Sequence, residues 1–199
     1  MSDKHISVTP ADTAILLVDH QPGVMAMVKS VDAEVLAANV GLLARLGEQT
    51  DIPLVVTSTR EDLAFLGTSI DAIQKGAPKG YAARIRRAGT LDAFADRAFA
   101  KAVESTRRRN LIIAGITTDV CLFHTTMSAI KAHYNVWIAA DACGTSTMLG
   151  DQVTYARLRA AGATITTTLG ILFELYSDLS TTEGQRAEAI AIGDVKMAA

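Results

Sequence analysis

The sequence predicts a three-layer α/β/α fold, in which helices cover both faces of a six-stranded parallel sheet. Short apolar runs recur along the chain, and each has the length of a strand. Segments with helical spacing of their apolar residues separate these runs. Several runs are apolar at every position, as is typical of strands buried on both faces. This alternation favours right-handed crossovers, and we expect the Rossmann-like strand order 3-2-1-4-5-6.

The composition is that of a globular protein. The chain has 199 residues, of which 49% are hydrophobic and 20% are charged, and we expect one domain over residues 1–199. The net charge of −2 gives no sign of a nucleic-acid partner. No apolar run is long enough to cross a membrane, and residues 1–10 lack the pattern of a signal peptide. We therefore expect a cytoplasmic protein without a membrane partner.

Three strands are predicted in the first half of the chain. Residues 13–18 form a continuous apolar run that ends at Asp19. Residues 52–57 form a second run, with Pro53 near its start, where proline is tolerated. Residues 81–87, reading YAARIRR, are predicted as a short third strand.

The helices of this half follow from periodicity. Residues 32–49 are predicted as an amphipathic helix. The loop at 58–80 has weak periodicity, contains a short predicted helix at 69–75, and is a candidate rim of a site. A helix at 95–107 ends in basic residues, which complement the helix dipole. The apolar face of the first helix consists of Val35, Leu36, Val40, Leu43 and Leu46.

The second half of the chain repeats the alternation of strand and helix. Its strands are the apolar runs, and its helices are the longer segments between them, one of which stops at Gly162. The strands are predicted at residues 111–114, 135–140 and 163–168. The helices are predicted from residue 120 onward and at residues 147–161, 170–179 and 182–199.

The stretch that begins at residue 110 carries the first candidate catalytic residue. After the fourth strand, Thr117, Thr118 and Asp119 offer helix N-cap chemistry. Cys121 then falls in the first turn of the helix, where unpaired N–H groups and the helix dipole lower a thiol pKa and can bind an oxyanion. This position predicts a cysteine nucleophile. The alternative is a buried structural cysteine. The predicted apolar face of the helix consists of Val120, Phe123, Met127 and Ile130.

A carboxylate is expected beside this thiol. Asp19 ends the first strand, and in a doubly wound sheet the first and fourth strands are neighbours at the edge where ligands bind. A carboxylate there can take the thiol proton and return it to a leaving amine. The alternative is an Asp that caps the turn at residues 19–23. A cation near both groups would stabilise the thiolate. Lys79, Arg84, Arg86 and Arg87 either include this cation or form a solvated surface patch.

Other reactive side chains have weaker support. His124 follows Cys121 by three residues and is a candidate partner of the thiol, with packing or solvent exposure as the alternative. Cys143 is predicted to be a small buried residue, with an exposed position near the cleft as the alternative. The histidines show no metal-ligand spacing, and neither common Gly-rich phosphate loop occurs. We therefore expect neither a metal nor a cofactor.

Three segments carry a family resemblance. LLVDHQ at residues 16–21, GITTDVC at residues 115–121 and DACGT at residues 141–145 resemble the isochorismatase-like cysteine hydrolases, and in particular their YcaC-like branch. The order and spacing of the segments hold over nearly the whole chain.

The resemblance implies an Asp–Lys–Cys triad. Asp19 matches its acid/base, and Cys121 matches its nucleophile. The resemblance also implies a non-proline cis peptide, here Ile116–Thr117, which in the family aims N–H groups at the oxyanion. By position these are the N–H groups of Thr117 and Cys121. His20 and Gln21, which follow Asp19 in the first segment, are the expected substrate-binding residues.

The sequence departs from the family pattern at two places. The position of the family's lysine falls on Arg87, which keeps the positive charge but cannot give up a proton. Nicotinamidases of the family carry an Asp-x-His cluster after the second strand, whereas residues 57–61 here read TSTRE. A zinc-dependent nicotinamidase is therefore disfavoured.

These observations predict a cofactor-free cysteine hydrolase that cleaves a small amide or related C–N bond through a thioester. The substrate is expected to be a small molecule, selected by the loops at 20–30, 58–80 and 142–150. The alternatives are vinyl-ether hydrolysis of the isochorismatase type and a non-catalytic or redox-responsive binding protein. Residues 170–199 suit subunit contact, and the family often forms oligomers, so we expect a homo-oligomer.

Overall fold

The computed structural model describes residues 8–197, and the side chains of residues 8–193. The strands are β1 (Thr13–Val18), β2 (Leu54–Thr59), β3 (Ile85–Arg87), β4 (Asn110–Gly115), β5 (Asn135–Ala139) and β6 (Thr164–Thr166). The α-helices are α1 (Pro22–Met25), α2 (Ala33–Gln49), α3 (Asp71–Gly76), α4 (Pro78–Ala82), α5 (Arg97–Ser105), α6 (Phe123–Lys131), α7 (Met148–Ala160), α8 (Thr168–Leu175) and α9 (Thr182–Met197).

The strands form one parallel sheet in the order β3-β2-β1-β4-β5-β6, which confirms the predicted topology. All residues of β1 and β4 are buried, because helices cover both faces of these central strands. The two strands pair in register, with Val18 opposite Gly115. The segments that follow β1 and β4 therefore emerge side by side at the carboxyl edge of the sheet.

Helix α2 follows the predicted pattern closely. Asp32 caps its start, and Asp32 Oδ1 accepts hydrogen bonds from the amides of Glu34 and Val35 at 2.9 and 3.1 Å. Its predicted apolar face is buried except for Val35, which is 52% exposed. Val35 lies one residue, or about 100°, from Leu36 on the helix and so turns toward solvent.

The segment at 81–87 differs from its prediction. Its first part belongs to α4, which begins at Pro78, and only Ile85–Arg87 form a strand. Proline at the first helical position has a φ suited to the helix, which explains the extra turn. The third strand is then held by pairing of Ile85 with Thr57 and of Arg87 with Thr59.

The helix that contains Cys121 also differs. It begins with a wide π-helical turn over Thr118–Leu122, in which the amide of Leu122 bonds to Thr117 O at 3.2 Å, and α6 follows. The extra residue in this turn rotates the helix. As a result α6 buries Thr125, Thr126 and Ala129, whereas Met127 of the predicted apolar face is 37% exposed.

The C-terminal elements are close to their predictions. Helix α8 ends at Leu175, and the last strand is limited to Thr164–Thr166. Helix α9 packs against α2 and is described as far as Met197, so the two last residues of the predicted tail helix lie outside the described residues. Within residues 8–197, no helix combines the length and the apolar character that a membrane span requires.

Candidate active site

A buried ion pair lies at the carboxyl edge of the sheet. Asp19 directly follows β1, Arg87 ends β3, and both side chains are 0% exposed. The Nη2 group of Arg87 donates a hydrogen bond to Asp19 Oδ2. Asp19 has a positive φ of 60°, an unfavourable conformation for a residue with a Cβ. Its amide bonds to Thr57 O at 3.0 Å, which helps to hold this conformation.

Two threonines hold the guanidinium group of Arg87. Its Nε donates to Thr57 Oγ1 at 3.0 Å, and Thr57 Oγ1 itself donates to Ile85 O at 2.8 Å. Its Nη1 donates to the backbone oxygen of Thr90. The planar guanidinium is thus bonded on three sides, which leaves it one orientation toward Asp19. The sequence reasoning did not identify Thr57 or Thr90, and the only available signal was the position of Thr57 at the end of a predicted strand.

Cys121 lies beside this ion pair. The cysteine is 7% exposed, and the charges of both Asp19 and Arg87 act on its thiol. Asp19 Oδ2 is occupied by Arg87, whereas Asp19 Oδ1 is buried without a well-aligned hydrogen-bond donor. One carboxylate oxygen is therefore fixed, and the other is available to receive a proton.

The electrostatics of the thiol correct an expectation from the sequence. Burial raises the pKa of the Cys121 thiol, the Asp19 carboxylate raises it further, and Arg87 acts in the opposite direction. Burial also raises the pKa of the Asp19 carboxyl, against the charge of Arg87. The lowered thiol pKa expected from a helix start is thus wrong, because burial and the Asp19 carboxylate raise the pKa. The resting sulfur is a thiol that needs a proton acceptor.

The turn around Cys121 is held by its backbone. The Ile116–Thr117 peptide is cis, at the position that the resemblance implies. The amide of Thr118 bonds to Gly144 O at 3.0 Å, and that of Val120 bonds to Thr117 O at 3.2 Å.

The expected side-chain N-cap is absent from this turn. Asp119 Oδ1 instead accepts a bond from Thr145 Oγ1 at 2.6 Å, because the loop after β5 packs against this turn. The role of the Thr117 and Cys121 amides toward an oxyanion stays a prediction.

His20 and Gln21 are both buried next to Asp19. Gln21 Nε2 donates to Thr59 O at 2.9 Å and to Gly67 O at 2.7 Å, and Gln21 Oε1 accepts from the Thr59 amide at 2.7 Å. His20 Nε2 bonds to Ala142 O at 3.0 Å, and burial lowers the His20 pKa to about 4. The sequence led us to expect that both residues contact the substrate. The observed bonds instead favour a role in joining loops.

The two weaker candidates, Cys143 and His124, have surroundings that differ from those of Cys121. Cys143 is fully buried, and its Sγ contacts the Gly115 amide at 3.4 Å and Ala139 O at 3.2 Å. It is therefore the small buried residue that was predicted. His124 is exposed and packs edge-on against Phe123, with ring centroids 5.5 Å apart, which agrees with the packing alternative.

The remaining cations of the predicted cluster pair with carboxylates. Arg84 Nε lies 2.7 Å and Arg86 Nε lies 3.5 Å from Glu61, and Lys79 lies 3.7 Å from Glu48. Arg87 is thus the member of the cluster that contacts Asp19. Between residues 8 and 197, no group of three or more His, Cys, Asp or Glu side chains is arranged to hold a metal ion.

Comparison with known proteins identifies relatives along most of the chain. The Isochorismatase domain family model matches residues 13–169. The chain is 31% identical to the probable hydrolase YcaC of Escherichia coli (strain K12) over 178 residues, which are 89% of this chain and 84% of that protein.

Two solved structures share the fold. YcaC from Escherichia coli, described as an octameric hydrolase of unknown specificity, has a TM-score of 0.88 and 28% identity over 98% of this chain and 95% of its own. YcaC from Pseudomonas aeruginosa, solved with hexane-2,5-diol and covalent acrylamide, has a TM-score of 0.88 and 29% identity over 99% and 98% of the two chains. These findings confirm the resemblance predicted from the sequence. Because the match spans both the sheet and the segments that hold Asp19, Arg87 and Cys121, the chain belongs to the isochorismatase-like hydrolase family.

Proposed function

We propose that the protein is a cofactor-free cysteine hydrolase that cleaves a small amide or related C–N bond. One observation carries this proposal. The buried Cys121 thiol lies beside Asp19, whose Oδ2 is fixed by Arg87 and whose Oδ1 has no well-aligned donor. A thiol with a raised pKa needs a nearby base before it can act as a nucleophile, and the free carboxylate oxygen supplies one.

The proposed reaction has two halves. In the first, Asp19 takes the Cys121 proton as the sulfur attacks the carbonyl carbon, and the carbonyl oxygen becomes an oxyanion bound by the amides of Thr117 and Cys121. Asp19 then gives the proton to the nitrogen, the C–N bond breaks, and a thioester forms. In the second half, Asp19 takes a proton from water, hydroxide attacks the thioester, and the proton returns to the departing sulfur. The products are an acid and an amine, and the enzyme is regenerated.

Arg87 acts in this scheme through its charge. Its charge opposes the rise in the Asp19 pKa that burial causes, and it stabilises the thiolate once the proton has moved to Asp19. Its guanidinium does not release a proton at physiological pH. Every proton transfer in the scheme is therefore assigned to Asp19.

Covalent acrylamide in YcaC from Pseudomonas aeruginosa supports a nucleophile in a related protein. Acrylamide is an electrophile that carries an uncharged amide, the group that we assign to the substrate here. The vinyl-ether reaction does not need a cysteine nucleophile, so a covalent adduct in a relative does not support it. The redox alternative is disfavoured since a thiol with a raised pKa holds little thiolate for oxidation.

The test is capture of the thioester. The protein is mixed with a panel of small primary amides, ammonia release is measured, and acid-quenched samples are analysed by peptide mass spectrometry. We expect the acyl mass on the peptide that contains Cys121. Ammonia release that continues without any acyl adduct and survives in Cys121→Ala would contradict the mechanism.

We further propose a homo-oligomer. The relative from Escherichia coli is octameric, and the C-terminal region of this chain exposes the large apolar side chains of Phe173, Leu179 and Ile192. Apolar side chains at such exposure favour subunit contact. Light scattering on the eluted protein should show a mass that is a multiple of 21.1 kDa. A clean monomer would contradict this proposal.

A further inference from the structure

The charges at the reacting sulfur cancel. Asp19 and Arg87 are in contact and fully buried, and they are the two charged groups that act on the Cys121 thiol. Transfer of the thiol proton to Asp19 leaves a thiolate beside Arg87, so the site stays neutral. A substrate carboxylate that entered this buried region would find no unpaired cation among the groups that act on Cys121. Burial of an unpaired carboxylate is strongly unfavourable.

The cations on and just before β3, and on the loop after β2, lie beside carboxylates. Arg84 and Glu61 form a two-pronged ion pair, with Nε to Oε1 at 2.7 Å and Nη2 to Oε2 at 3.1 Å. Arg86 Nε lies 3.5 Å from Glu61 Oε2, and Arg60 Nε lies 3.1 Å from Asp62 Oδ1. The two carboxylates, Glu61 and Asp62, lower the positive potential that these three cations create on this side of the site.

The segments that follow the strands at the same edge of the sheet expose large apolar side chains. These side chains follow the carboxyl ends of four strands: Met27 after β1, Phe65 after β2, Leu91 after β3, and Met148 and Leu149 after β5, each at least 51% exposed. We call these five side chains the apolar rim. Apolar side chains at the sheet edge that also holds a buried polar centre are typical of a site for a small apolar ligand.

Backbone contacts tie these loops together. The amide of Gly23 bonds to Leu66 O at 3.1 Å, and a Cβ at Gly23 would lie 2.3 Å from Phe65 O. The amide of Lys29 bonds to Thr145 O at 2.8 Å. Leu91 directly follows Thr90, whose backbone oxygen accepts a bond from Arg87 Nη1. The segments that carry or precede these side chains therefore pack on one another at this edge of the sheet.

We infer that the site selects uncharged amides with a short apolar acyl group and excludes acyl groups that carry a carboxylate. This inference rests on the proposed hydrolase function, and it names the substrate class. It separates this protein from a hydrolase of anionic substrates, because Arg87 is bonded to Asp19 and the exposed apolar side chains at this edge carry no charge.

The first experiment measures charge selectivity without requiring turnover. Cys121 is alkylated with iodoacetamide, which is neutral, and with iodoacetate, which is an anion of nearly the same size. Modification is followed by peptide mass spectrometry, and the ratio of the two rates is divided by the ratio for a small thiol at the same pH. We expect a further preference of about tenfold or more for iodoacetamide. A normalised ratio near one would overturn the inference.

Matched variants place the selectivity at the rim. Leu91→Lys adds a cation beside the Arg87 anchor at an exposed position, and it should raise the iodoacetate rate several-fold, whereas Leu91→Gln should not. Lys29 is an exposed cation on the loop after β1, and Lys29→Gln should leave the normalised ratio unchanged. A large fall of the iodoacetate rate in Lys29→Gln would show that the native rim recruits anions and would overturn the inference.

The second experiment compares hydrolysis of butyramide and succinamate, which have chains of the same length and differ by a terminal carboxylate. We expect kcat/KM for butyramide to exceed that for succinamate by about tenfold or more. Equal hydrolysis of both would overturn the substrate class and leave the hydrolase proposal standing. Hydrolysis of neither, with the alkylation preference intact, would support the charge selectivity and count against the hydrolase proposal.

Discussion

Cys121 and Cys143 occupy similar places in the fold. Cys121 follows β4 and Cys143 follows β5, at the same edge of the sheet, and both are buried. Burial raises the pKa of both thiols, that of Cys143 to about 12. Their neighbours differ. The Cys143 sulfur lies between the Gly115 amide and Ala139 O, whereas the Cys121 thiol lies beside a carboxylate and a guanidinium.

The difference shows that burial at a strand end does not make a nucleophile. Both thiols are protonated at neutral pH, so each would need a base to become reactive. Of the two thiols, Cys121 is the one on which the charge of Asp19 acts, and the second carboxylate oxygen of Asp19 has no hydrogen-bond partner. The backbone partners of Cys143 can hold the sulfur but cannot accept and return its proton.

The largest expected effect comes from replacing each cysteine with alanine, which removes the sulfur. Cys121→Ala should lower kcat for amide hydrolysis by about a thousandfold or more, because the nucleophile is lost. Cys143→Ala should keep kcat near the native value, and it should lower the free energy of unfolding by ~1–3 kcal/mol because the buried Gly115 amide loses its partner. Steady-state kinetics and urea unfolding measure the two effects. A comparable loss of kcat in Cys143→Ala would remove the distinction between the thiols.

Asp19→Asn should move two properties of Cys121 in opposite directions. The thiol pKa should fall, because a negative charge that raises it is gone while Arg87 remains. Hydrolysis should nevertheless fall by about a hundredfold to ten-thousandfold, since the proton acceptor is lost. The pH profile of iodoacetamide alkylation and the kcat for ammonia release measure the two properties.

Arg87→Met is the matched control for this prediction. It removes the cation that lowers the thiol pKa, so the alkylation profile should move to higher pH. Cys143 is fully buried, so it should stay unmodified in both variants. If Asp19→Asn moved the Cys121 profile upward, the assigned charge arrangement would be incorrect.

Thr57→Val should have a smaller effect on the same thiol. The change removes the oxygen that accepts a bond from Arg87 Nε at 3.0 Å, in a side chain of nearly the same shape. We expect kcat to fall by about tenfold and the Cys121 alkylation profile to shift, because the guanidinium is held less firmly. Thr57→Ser retains the hydroxyl and should restore both properties. Equal defects in the two variants would instead indicate a packing role for Thr57.

The smallest expected effect concerns the hydrogen bond between His20, which follows β1, and Ala142, which follows β5. His20 Nε2 bonds to Ala142 O, one residue before Cys143, and burial holds the His20 pKa at about 4 against 6.5 in the unfolded chain. Because the unfolded chain binds the proton more tightly, stability is highest above pH 6.5 and falls as the pH drops toward 4. His20 alone should contribute up to ~3 kcal/mol to this fall.

The measurement is urea unfolding of the native protein and of His20→Gln across this pH range. The variant has no imidazole to protonate, so its stability should depend less on pH, with the carboxylates common to both proteins as the remainder. Parallel pH curves for the two proteins would contradict the role assigned to His20.

Much of the fold was predictable because its signals are local. The apolar runs at residues 13–18 and 111–114 are continuous, and strands of that kind belong at the centre of a parallel sheet. Once β1 and β4 are neighbours, Asp19 and Cys121 must reach the same edge. The family resemblance added Arg87, which the cation cluster by itself did not separate from Arg84 and Arg86.

Other features depended on packing between distant segments. The wide turn at Thr118–Leu122 rotated α6, so that its buried face carries threonines in place of Met127. Gln21 and His20 lie next to Asp19 in the chain, yet their polar atoms are taken by loops that follow β2 and β5. Thr57 looked like an ordinary strand residue until the structure placed it against Arg87.

The sequence by itself therefore determined the sheet, its strand order and the meeting of an acid with a thiol, because hydrophobic pattern and strand ends act over short stretches of chain. The tertiary structure alone decided that the Cys121 pKa is raised, that Arg87 has a single orientation, and which carboxylates lie beside the surrounding cations. A pKa depends on burial and on charges within a few ångströms, and the groups that set it here lie 34 and 102 positions apart from Cys121 along the chain, at Arg87 and Asp19.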